Sequence, residues 1–288
     1  DGFTLDQETL VREYVEAHDL TGANPLTTPT VLHQDPGGEE PLTASDTKQF
    51  RTLAGGLLWL ARCTRPDIAF AVHQMTRRTH APRTTDLRLG KRVLRYLLGT
   101  AAMKLHATQG ASDAMTLSAY TDADFAAKES DRKSISAATI HLNGMLIHWY
   151  CTKQNSVSLS TMESEFVAAA RGAQELLGCH EVLQEIGSTV QPPMILYMDN
   201  QAAVAQITSE ASSQRSKHID IKYKFLKDLH YKGKLKPIHV PTKSMLADLM
   251  TKAFPTPDFR RLCALIGLTD QKQRNSQPNG TRRGGVLE

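Results

Sequence analysis

Six acidic residues stand where carboxylates could act together. Asp122 and Asp124 close the run LSAYTDADFA, Glu163 and Glu165 sit in SLSTMESEFVAAA, Asp199 ends ILYMD, and Asp248 lies in ADLMTKAF. Like charges as close as Asp122 and Asp124 repel, so they persist where water, a cation or a basic ligand compensates them. A hard divalent ion takes oxygen ligands and suits a set without Cys. Each residue also has an ordinary reading. A D-x-D pair can be a solvated turn, and early helical Glu residues can answer the helix dipole. Asp199 or Asn200 can cap a helix, and Asp248 can be an exposed helical side chain.

The elements that would position these acids are legible from periodicity. Alternation by two makes Thr116–Asp124 a strand with Tyr120, Asp122 and Asp124 on one face. Strands are also expected over 103–108, 135–142, 145–151, 194–198 and 234–240, with Asn143-Gly144 as a hairpin turn. A long helix should run over 160–186, burying Phe166, Ala169, Ala170, Ala173, Leu177 and Leu183. Glu163 and Glu165 flank that stripe on opposite sides, so helical geometry does not choose between them. Asp199 falls at the C-terminal end of an apolar strand, where open α/β sheets hold ligands. Helices are expected after it, over 219–231 and over 244–254.

Before residue 103 the texture is helical. Residues 5–18 read as a short amphipathic helix, and 19–43 are rich in Thr, Pro and Gly. Helices follow from Ser45 to about Cys63, from Pro66, and over 85–98. The last carries Arg88, Lys91, Arg92 and Arg95, either a solvated face or a phosphate contact. The chain thus divides into 1–18, a linker 19–44, a helical subdomain 45–102, an α/β domain 103–268 and a disordered tail 269–288.

Composition narrows the class without deciding it. The 288 residues are 40% hydrophobic and 22% charged with formal net charge +4, ordinary for a globular protein and compatible with a nucleic-acid partner. Cys63, Cys151, Cys179 and Cys263 are scattered, which fits neither a disulfide framework nor a zinc knuckle and favours a reducing intracellular setting. The most apolar run, Leu53–Ala61, is too short to span a membrane. The start has no signal-peptide pattern and no initiator Met, which suggests a fragment or a processed piece.

Taken in order, YTDADFA, SLSTMESEFVAAA, YMDNQAA, RSKHIDIKYKFLKD and VPTKSMLADLMTKAF resemble successive motifs of the ribonuclease H domain of copia-type long-terminal-repeat retrotransposons. RTLAGGLLWLARCTRPDIAFAV and KRVLRYLLGT resemble the segment that links reverse transcriptase to that domain. The resemblance implies an α/β fold, a ribonuclease H-like mixed sheet flanked by helices and preceded by a small all-helical thumb or connection subdomain, with 1–18 ending the reverse transcriptase region. It implies Mg²⁺-dependent endonucleolytic hydrolysis of the RNA strand in RNA–DNA hybrids, with two ions and Mn²⁺ as an alternative. The ligands it implies are Asp122, Glu165, Asp199 and Asp248. Glu165 is preferred to Glu163 because Phe166-Val167-Ala168 follows it as in the family, and Asp124 has no general role. The partners implied are the hybrid and the upstream reverse transcriptase region, with no membrane, and the setting a cytoplasmic virus-like particle when the element is expressed. The family's mobile His before the last helix is missing from PTKSM, and His239 belongs to the preceding strand.

Sensing a 2′-hydroxyl needs polar groups near the acids. Ser134, Asn200 and Gln201 are the candidates, and Arg215, Lys217 and His218 could hold phosphate. Turn, cap and solvated-loop roles compete for each. Two other functions fit less of the chain. A non-catalytic nucleic-acid-binding remnant would keep the fold without turnover. An aspartyl phosphatase using Asp122 and Asp124 would leave Glu165 and Asp248 unexplained. A polymerase is excluded for this stretch, which has no Tyr-x-Asp-Asp motif.

Overall fold

The structure is a computed structural model. It describes residues 2–31, 40–108, 115–125, 132–209 and 217–270. The architecture is the expected mixed α/β one. Five strands, β3 (Leu117–Asp124), β4 (Ile135–Leu142), β5 (Met145–Lys153), β6 (Met194–Met198) and β7 (Leu235–His239), form a sheet in the order β5-β4-β3-β6-β7. The pairs β3–β4 and β4–β5 are antiparallel, whereas β3–β6 and β6–β7 are parallel. The β4–β5 hairpin turns at Asn143 and Gly144, both at positive φ (51° and 81°), which is why that dipeptide stands there.

Helix α5 (Thr161–Glu185) starts where Ser160 accepts the Glu163 N–H, so the cap sets its first residue. It lies across β3 and β4. A Cβ at Gly172 would fall well inside the van der Waals radius of Thr121 Cγ2, so the helix backbone touches the sheet there. Phe166, Ala169, Ala173 and Leu176 form one core with Leu117, Ala119, Ile140 and Leu196. Helices α6 (Gln201–Thr208) and α7 (Lys217–Tyr231) close this side.

The other sheet face is covered by the helical region: α1 (Glu8–Ala17), α2 (Ala44–Cys63), α3 (Ala69–Thr76) and α4 (Thr84–Gly99). Its core, around Phe50, Leu57, Leu60, Met75 and Leu97, continues without a break into Ala137, Leu146, Leu249 and Met250. Trp149 on edge strand β5 donates its indole N–H to Ala61 O at 2.7 Å. Inside the helical region Arg65 is 1% exposed and paired with Asp67 at 2.7 Å.

Several local expectations change. Strand β1 (Gly2–Leu5), missed from the sequence, pairs with β2 (Lys104–Thr108), which also pairs with β8 (Leu268–Thr269). Short elements of this kind follow from tertiary pairing, not from periodicity. The helix expected over 244–254 is instead two 3-10 turns, Thr242–Ser244 and Leu246–Met250, followed by α8 (Thr256–Leu265). Leu246, Ala247, Asp248, Leu249 and Met250 are all buried, so this turn is packed on every side and has no solvent face of the kind periodicity assumes. Part of the expected linker is tied to α4: Arg95 donates to Asn24 O and Arg92 to Thr28 Oγ1. Those two arginines therefore help to hold the segment before residue 31 against α4. The expected tail falls on residues 271–288, outside those described, apart from Thr269 and Asp270. No helix among the described residues is long and apolar enough to cross a membrane.

Candidate metal centre

Strand β3 carries Asp122 to the sheet centre and β6 delivers Asp199 just past its C-terminal end. The N-terminal turns of α5 bring Glu165 over the same edge. Ligand oxygens of Asp122, Glu165 and Asp199 lie within 4.8 Å of one another. Glu163 stays outside this group and accepts the Leu159 N–H at 2.6 Å, a capping contact. Asp248 reaches the same region from the 3-10 turn, though it is not one of the three converging acids.

Asp122 is 1% exposed, Glu165 4% and Asp248 4%, so their charges are largely withdrawn from water. Burial, then Asp122 and Asp199, push the Glu165 carboxyl up to about 9, against the pull of Lys252 and the Ala123 N–H. Its Oε2 is buried without a hydrogen-bond partner. Burial, then Asp122, push Asp248 up to about 7. Asp124 is also raised, chiefly by burial, with Lys252 opposing. Left to itself, Glu165 holds its proton at neutral pH.

Three further side chains belong to the site. Lys252 donates to Asp248 Oδ1 at 2.8 Å and to Asp122 Oδ1 at 3.3 Å. Burial by itself would lower its pKa, but Asp122 and Asp248 outweigh burial and raise it, so it stays charged. Thr251 donates its hydroxyl to Asp122 Oδ2, and Thr242, from the loop expected to lack a mobile His, donates to Asp199 Oδ2 at 3.1 Å. Sequence reasoning missed all three. Lys252 alone carried a signal, its position four residues after Asp248.

The expected substrate-side residues are less well placed. Ser134 is fully buried just before β4. Asn200 caps α6, its Oδ1 accepting the Ala203 N–H at 3.0 Å. Gln201 is exposed in the first turn of α6. Arg215 lies outside the described residues, as do the side chains of Lys217 and His218, whose backbone opens α7.

The donor set fits a hard divalent ion. Three carboxylates converge, one buried oxygen has no partner, and neither Cys nor His is among them. The arrangement can bind a cation and orient what the cation holds.

No protein-family model matches the chain. It is 31% identical over 268 residues to the retrovirus-related Pol polyprotein from transposon RE1 of Arabidopsis thaliana, covering 93% of this chain and 18% of that polyprotein. With the corresponding polyprotein from transposon TNT 1-94 of Nicotiana tabacum the identity is 31% over 270 residues, covering 92% and 20%. The chain thus spans about a fifth of the length of these relatives. Among solved structures, the N-terminal ribonuclease H domain of rv2228c from Mycobacterium tuberculosis aligns over 52% of this chain and 98% of its own, with a TM-score of 0.37 and 10% identity. The relatives agree with the ordered motifs: the homologues of this chain are retrovirus-related Pol polyproteins of copia-type transposons, and it matches one segment of them.

Proposed function

We propose that this chain is the ribonuclease H part of a retrotransposon Pol polyprotein and cuts the RNA strand of RNA–DNA hybrids endonucleolytically during reverse transcription. The observation that carries the reading is the convergence of Asp122, Glu165 and Asp199 within 4.8 Å, with a buried Glu165 oxygen that has no partner. Mg²⁺, or Mn²⁺ in its place, would be held by these three with Asp248 as the fourth acid. When bound, a pair of such ions supplies a nucleophilic water and stabilises the leaving oxygen. The chain's own part is positional. The hydroxyls of Thr251 and Thr242 hold Asp122 and Asp199 at fixed angles, and burial of Glu165 makes its oxygens costly to leave without a cation. Gln201, exposed beside Asp199, is the candidate to meet the RNA strand, and the start of α7 to meet phosphate. The upstream reverse transcriptase region is the partner that would deliver the hybrid, inside a virus-like particle.

The test is cleavage of an end-labelled RNA–DNA hybrid in Mg²⁺ by the full chain and by Asp199→Asn. The expected result is cutting of the RNA strand by the first and loss of cutting in the second. Equal activity in both would remove the assignment, and hybrid binding by the unaltered chain without turnover would favour a non-catalytic remnant.

A further inference from the structure

The proposed reading leaves Lys252 without a task. Its ammonium sits between the carboxylates of Asp248 and Asp122, at 2.8 and 3.3 Å, and these are side chains only 5% and 2% exposed. The lysine side chain itself is 35% exposed, so its stem has a way out to solvent. On its other side, the Asp122 carboxylate faces Glu165 and Asp199. One carboxylate is therefore shared between a converging three-acid group and a fixed organic cation.

We infer that the Lys252 ammonium holds the place of a second cation between Asp122 and Asp248, so that a second divalent ion binds only by displacing it. An ion such as Mg²⁺ needs oxygens at about 2.1 Å and near-octahedral geometry. Bound to the carboxylate oxygens that already accept from the ammonium, it would sit within a few ångström of a second positive charge, and the two cations repel. The first ion, among Asp122, Glu165 and Asp199, meets no such competitor. Lys252 is on this account a positioning residue. It keeps Asp122 and Asp248 together when the second place is otherwise empty, and it weakens the second ion relative to the first. Exchange is feasible because the contact to Asp122 is long and the lysine stem flexible.

The inference rests on the metal-dependent reading above, and its test separates the two. Mg²⁺ is titrated calorimetrically into the full chain and into Lys252→Met, without nucleic acid. The first binding phase should be alike in both, and the second about tenfold tighter in the variant, the change expected when one partly solvated unit charge is removed. Lys252→Arg, which retains the cation, should restore the weaker second phase. On the unaltered chain, the side-chain ¹⁵N resonance missing from Lys252→Arg should stay put through the first phase and shift in the second, a readout that survives if Lys252→Met does not fold. Equal second phases in the chain and Lys252→Met, or a resonance unmoved at saturation, overturn the inference alone. No Mg²⁺ binding by either protein removes the metal reading and this inference with it.

Discussion

Replacing Glu165 by Gln should change how the metal-free protein responds to pH. Glu165 is 4% exposed and its carboxyl is raised from 4.5 to about 9, first by burial and then by Asp122 and Asp199. Between those values the folded state holds a proton that the unfolded state has released. Stability is therefore greatest below pH 4.5 as far as this group is concerned, and falls as pH rises through 9. One proton is worth about 1.4 kcal/mol per pH unit, so three units within the window set a ceiling of about 4 kcal/mol. Local relaxation and water entry reduce this to about 2 kcal/mol. For a chain of this size that corresponds to roughly 4–8 °C in Tm. The assay is thermal unfolding from pH 5.5 to 8.5 with a chelator, for the unaltered chain and for Glu165→Gln. Gln cannot ionise, so the difference between the two curves isolates this residue from Asp248 and the histidines. The unaltered chain should lose stability relative to the variant as pH rises. Added Mg²⁺ should reverse the trend, because the ion binds the carboxylate and stabilises the state that holds it. Parallel curves in chelator, or a chain that gains on the variant with rising pH, would refute the argument that burial and neighbouring acids dominate Glu165.

Two structural predictions accompany it. Gly172→Ala should cost roughly 1–3 kcal/mol in urea unfolding, because its methyl would overlap Thr121 Cγ2. The same change should slow hybrid cleavage by pushing α5, and Glu165 with it, away from β3, and unchanged cleavage would show that the helix can shift without the site. Asp67→Ala should cost about 3–5 kcal/mol, since it strands the buried Arg65 guanidinium that now pairs with it at 2.7 Å; a loss below about 1 kcal/mol would mean that Thr100 alone satisfies Arg65.

The resemblance carried by YTDADFA, SLSTMESEFVAAA, YMDNQAA and VPTKSMLADLMTKAF anticipated the family and the mixed sheet. Periodicity located β3, β6 and α5 almost to the residue, because each has a buried face and a clear stop: Ser160 caps α5, and Asn143-Gly144 turns the hairpin. It failed at 244–254 because Leu246–Met250 is buried all round, leaving no polar face to set the period. It failed also for β1, whose four residues are held only by pairing with a strand a hundred residues away.

By itself the sequence determined which acids exist, in what order, and, for Asp122, Glu165 and Asp199, on which elements, since strand alternation and helix period depend on near neighbours alone. It did not choose Glu165 over Glu163 on geometry, because both flank the apolar stripe. The choice was made by the docking of α5 on β3 at Gly172, which buries one carboxylate beside Asp122 and leaves the other to cap the helix. Nor did it reveal that Lys252 would lie between Asp122 and Asp248, 130 and 4 residues away along the chain. Charges that distant in sequence meet only when two cores, one on each face of the sheet, bring their elements to a common edge.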